Sequence, residues 1–99
     1  MSDEYGPEDL DGLLELQRID SRIASNESEQ ERIKHELAEI TASIASDETT
    51  AEERVELVAR AAEIGSRHSE LGKENEALRE ERVGRVAELE DYRQTLAYD

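Results

Sequence analysis

Apolar residues recur along this chain at intervals of three and four. From residue 16 the series reads Leu16, Ile19, Ile23, Asn26, Gln30, Ile33, Leu37, Ile40 and Ile44. This is a sustained heptad seam on one face of a helix, with polar entries at Asn26 and Gln30. Leu10, Leu13 and Leu14 are expected to broaden the seam at its start. A second series follows: Leu57, Ala61, Ile64, His68, Leu71, Asn75, Leu78 and Arg82, then Leu89, Tyr92 and Leu96. Val86 is the more natural core residue than Arg85, so a local slip of the repeat is expected there.

The two series are out of phase. Continuing the first past Ile44 would place Asp47, Ala51, Arg54 and Val58 in the seam and leave Leu57, Ile64, Leu71 and Leu78 beside it. This favours two helices joined by a turn. A single rod would need a four-residue stutter through Val55, Val58 and Ala62. Ser46-Asp47-Glu48-Thr49-Thr50 breaks the pattern, and Thr49 and Thr50 each precede a glutamate, Glu52 and Glu53, by three residues. That is the spacing of a capping box at a helix start. Pro7 suits the first turn of the first helix, where its missing N–H goes unnoticed, and Glu8, Asp9 and Asp11 suit the positive end of the helix dipole.

The expected fold is therefore all-α. Residues 1–6 form an acidic disordered tail, and residues 7–99 a helical hairpin. Helix 1 spans about 7–46, a turn about 47–50, and helix 2 about 51–97. A short connection makes the helices antiparallel neighbours in a coiled coil. The waist, near Ser25-Asn26-Glu27-Ser28 and Gly65 to Ser69, with Gly72 beyond, is poor in helix formers and should be the least stable part.

Composition narrows the function. The 99 residues carry 27 acids against 12 bases, a net charge of −15, and only three aromatics, all Tyr. Leu, Ile and Val total 20, enough for a narrow stripe and too few for a thick core. Nucleic acid is disfavoured as a direct partner because phosphate contacts need clustered Lys and Arg, and an anionic membrane surface for the same reason. No apolar run approaches a membrane span, and the N-terminal residues lack the apolar core of a secretory signal, so a cytoplasmic location is expected. There is no cysteine, hence no disulfide, thiolate nucleophile or zinc–thiolate site. Ten of the twelve bases are Arg, a surface that suits a high-salt cytoplasm or a GC-rich genome. Self-repulsion makes folding only at high salt, or with a partner, a further expectation.

No catalytic constellation, metal site or cofactor site is expected. Glu31, His35 and Glu39 share a helix face and could hold a divalent ion weakly, but a solvated charged face is the simpler reading. Asn26, Gln30, His68 and Asn75 are candidates for fixing register, or else are polar defects in a thin interface. Ala38, Ala42 and Ala45, with Val55, Val58, Ala59 and Ala62, lie off the seams near the turn and widen the apolar surface there. Two hairpins packed through it would make a four-helix assembly, so a homodimer or docking onto a larger protein partner is expected.

Leu13-Leu14-Glu15-Leu16-Gln17-Arg18-Ile19-Asp20-Ser21-Arg22-Ile23 resembles the opening of bacterial C4-type zinc-ribbon proteins. Their N-terminal part is a long antiparallel coiled-coil hairpin. The resemblance covers eleven residues and implies the hairpin and an adaptor role. That family's ribbon needs four cysteines, and this sequence has none. Asp47, Glu48, Glu52 and Glu53 at the expected tip loosely resemble the acidic tip of transcript-cleavage factors that enter the RNA polymerase secondary channel. The functional expectation is a non-enzymatic protein-interaction or scaffolding module. The alternative is a regulator that inserts Asp47 and Glu48 into a larger enzyme such as RNA polymerase.

Overall fold

The computed structural model describes residues 7–98, with side chains over 10–95. The expected tail, residues 1–6, and the Leu96 side chain lie outside the described residues. The chain forms two helices, α1 (Pro7–Ala45) and α2 (Ala51–Tyr98), that pack against each other as a helical hairpin. It divides into two units: a tip unit of Ser25–Glu74, and a second unit that pairs the outer stretch of α1, up to Ala24, with the outer stretch of α2, from Asn75.

In the tip unit the turn is built from local hydrogen bonds. The Ser46 and Thr49 N–H groups donate to the Ser43 and Ser46 carbonyls at 3.2 and 3.3 Å. Of the two capping-box threonines, Thr50 caps α2: its Oγ1 accepts from the Glu53 N–H at 3.1 Å. Thr49 instead turns back and donates its hydroxyl to the Ser43 carbonyl. Glu52 and Glu53 occupy the first turn of α2, where the helix dipole favours them.

α1 has no basic residue in its last turn, yet its terminal carbonyls need donors. Arg54 supplies them from α2. Its Nε donates to the Ile44 carbonyl at 3.0 Å and its Nη2 to the Ser46 carbonyl at 2.9 Å. One guanidinium thus caps the end of α1 and ties it to the first turns of α2.

The core of this unit is Ile33, Ile40, Ile64 and Leu71, with Leu37, Ile44, Leu57 and Ala61 packed against it. Leu71 is fully buried at 0% exposure. The helices run antiparallel here, since Glu29 meets Arg67 while Glu36 meets Arg60. In the seam, Gln30 donates from Nε2 to the His68 carbonyl at 3.2 Å. Asn26 is buried.

In the second unit Ile19 is buried and Leu16, Ile23, Leu78, Leu89 and Tyr92 are half-buried. Asn75, 1% exposed, donates from Nδ2 to the Ile23 carbonyl at 3.4 Å. One expectation needs correction. Leu10, Leu13 and Leu14 do not broaden the seam; they are 54%, 40% and 54% exposed. Stepping back seven residues from Ile19 gives Gly12, and Leu89 lies against it: a Cβ on Gly12 would sit 2.8 Å from Leu89 Cδ2. The leucines around Gly12 are turned outward by that phase. Near the expected slip, Arg82 is exposed while Arg85 and Val86 are both half-buried. Arg82 carries its charge out to Asp20, Nε to Oδ1 at 2.7 Å.

Candidate interaction surface

The two sides of the tip unit differ in chemistry. At about 100° per residue, the neighbours of each seam residue fall on opposite flanks of the helix. Glu29, Glu36 and Glu39 of α1 and Glu53, Glu56, Arg60, Glu63, Arg67 and Glu70 of α2 lie on one flank. Ion pairs lace it. Arg60 Nη2 lies 3.1 Å from Glu36 Oε1 across the helices, and its Nη1 lies 3.8 Å from Glu63 Oε2. Arg67 repeats the arrangement one heptad on, with Glu29 at 3.3 Å and Glu70 at 3.8 Å. These side chains are half exposed, so each pair contributes about 0.2–1 kcal/mol. Their larger effect is to occupy that flank with charge.

The other flank holds Ala38, Thr41, Ala42 and Ala45 of α1 and Ala51, Val55, Val58, Ala59 and Ala62 of α2. None of these residues is charged, and all are exposed. Val58 stands about 200° round the helix from Arg60, as Ala38 does from Glu36. Val55 and Val58 are 71% and 55% exposed. Valine gains nothing from an exposed helical site, because its branched Cβ lowers helix propensity. Further along this flank Glu27, Glu31 and Lys34 border a shallow groove with Gln30 and His68.

In the second unit, Asp11, Glu15, Arg85 and Glu88 line an open groove with Gly12, Leu89 and Tyr92. Leu13 stands about 200° round α1 from Glu15, and Leu10, Leu14 and the 70%-exposed Val83 take the corresponding heptad positions. This side also carries the Arg82–Asp20 ion pair, whereas the stretch of the tip unit beside the turn carries no charged side chain on its uncharged flank.

The remaining candidates fall into place around these flanks. Leu16, Ile19, Ile23, Ile33, Leu37, Ile40, Ile44, Leu57, Ile64, Leu71, Leu78 and Leu89 are all buried or half-buried between the helices, which makes them packing residues. Asp47 and Glu48 are exposed, and the Glu48 N–H donates to Ser46 Oγ at 3.2 Å. Glu31, His35 and Glu39 are all exposed, and among the described residues no group of three or more His, Asp or Glu converges to hold a metal ion. Among the described residues no helix is long and apolar enough to cross a membrane.

Arg54 was not singled out by sequence reasoning. A basic residue in the first turn of α2, following a helix with no base in its last turn, is the signal that could have found it. Comparison with known protein families, characterised proteins and solved structures finds no match to this chain.

Proposed function

We propose that this chain is a non-enzymatic protein-interaction module of the scaffolding or adaptor kind, a coiled-coil hairpin that presents one flank to a protein partner. The observation that carries this reading is the segregation of exposed side chains. In the tip unit the large aliphatic side chains left exposed, Val55 and Val58, avoid the heptad positions that carry the ion-paired flank. Scattered exposed aliphatics are ordinary on any protein, but two valines one turn apart in an uncharged stretch of a highly charged helix pair mark a contact surface. The seams occupy the inner faces, so partner recognition falls to the flanks.

Site-specific photocrosslinking in host cells tests this. A photoreactive residue at position 58 should give a covalent protein adduct, and one at position 63, on the charged flank, should not. Equal capture at both positions, or none at position 58, overturns the reading.

A further inference from the structure

We infer that the partner on the uncharged stretch beside the turn of the tip unit is a second copy of this chain, docked two-fold symmetrically with Val55 and Val58 of each copy against the other. This rests on the interaction-module reading and names its partner.

Charge selects the occupant. A basic partner drawn to a chain of net charge −15 is attracted to the flank that bears Glu53, Glu56 and Glu63, not to the stretch of the other flank beside the turn, where Ala38, Thr41, Ala45, Val55, Val58 and Ala62 carry no charge. A partner that is itself strongly acidic has the opposite preference: it can approach closely only where neither surface presents a carboxylate. A second copy meets that condition. A two-fold contact sets the same patch against itself, so uncharged meets uncharged, and the glutamates of both copies stay at the rim. Shape agrees with charge. Ala42 and Ala62 are short enough to let helix backbones come close, and the branched valines fill the space between them.

The electrostatics give the contact a signature. Two copies repel each other through their net charge, so salt should strengthen association; a basic partner would be released by salt. The Debye length falls from about 10 Å at ~0.1 M to about 3 Å at ~1 M salt.

The test is sedimentation equilibrium of the purified chain across that salt range, with helicity followed by circular dichroism. Expected are a species of twice 11.2 kDa, a dimer fraction that rises with salt, and a loss of dimer affinity of roughly tenfold or more in Val58→Glu, with helicity in high salt retained. Ala62→Glu should repeat that loss, and Glu63→Gln should keep the dimer. A dimer that survives both Val58→Glu and Ala62→Glu, or that weakens as salt rises, overturns the inference. So does a monomer at every salt concentration. If position 58 still crosslinks to another protein in that last case, the interaction-module reading stands and only the identity of the partner is wrong. If it does not, both fail.

Discussion

Replacing Arg54 by alanine removes one side chain and uncaps a different helix. The guanidinium makes two charge-assisted hydrogen bonds, to the carbonyls of Ile44 and Ser46. Both are partly exposed, so each contributes about 1 kcal/mol after competition with water. A cation at a helix C-terminus adds about 0.3–1 kcal/mol through the dipole. The Ser46 carbonyl keeps the Thr49 N–H when Arg54 is lost, but Ile44 keeps no such substitute at the turn. The expected loss is about 2 kcal/mol, which for a domain of this size lowers Tm by roughly 8–16 °C. Arg54→Lys retains the charge but not the fork, so about half the loss should remain. Urea unfolding followed by far-ultraviolet circular dichroism measures both variants. Protein concentration must be held constant, because association shifts apparent stability. An Arg54→Ala protein within about 0.5 kcal/mol of the parent would refute the capping role. A lysine variant as stable as the parent would show that charge alone suffices.

Other outcomes follow from the same packing. Leu37→Asp or Ile64→Asp places a carboxylate in the tip-unit core and should collapse helicity; an unchanged spectrum and mass would contradict the seam. Gly65→Ala and Gly84→Ala meet nothing within 4 Å and should each raise stability by about 0.5–1 kcal/mol, whereas Gly12→Ala should gain less, because Leu89 must shift; thermal melts of the three rank them. Arg60→Ala and Arg67→Ala should each cost no more than about 1 kcal/mol, read from urea midpoints, since their ion pairs are half exposed. Asn75→Leu should raise Tm while permitting alternative registers, visible as mixed products in cysteine-pair crosslinking, because a polar core residue specifies alignment at a cost in stability; a lower Tm would show that its bond to the Ile23 carbonyl outweighs burial of an apolar side chain.

Much of the hairpin is legible in the spacing of side chains. Every residue in the series from Leu16 to Ile44, polar entries included, is buried or half-buried, because a period of three and four leaves a helix one inner face. The turn is legible too, since a phase break and a threonine three residues before a glutamate are local signals. At the chain's outer ends, apolarity and phase disagree. Three leucines draw the eye, but the repeat runs through Gly12; of two arginines in seam register, Arg85 is half-buried and Arg82 is exposed. The asymmetry of the flanks is less accessible still. The charged positions of α1 and α2 can be listed from either helix alone, but that they fall on the same side of the pair follows only from the register, which Glu36–Arg60 and Glu29–Arg67 reveal. Arg54 acts on a helix other than its own, and no periodicity reports that.

The tip also bears on the order in which the chain assembles. Arg54 closes loops of only 8 and 10 residues, while the Arg60–Glu36 contact spans 24, Arg67–Glu29 spans 38 and Arg82–Asp20 spans 62. Closing a loop costs more entropy as it lengthens, and each contact made nearer the turn shortens the free loop of the next. Assembly then resembles a zip drawn from the turn outward, a low-contact-order route that favours rapid folding. During synthesis, α1 leaves the ribosome with its inner face bare; Arg54 then fastens the end of α1, and Leu57 is the first residue of α2 to pack against that face.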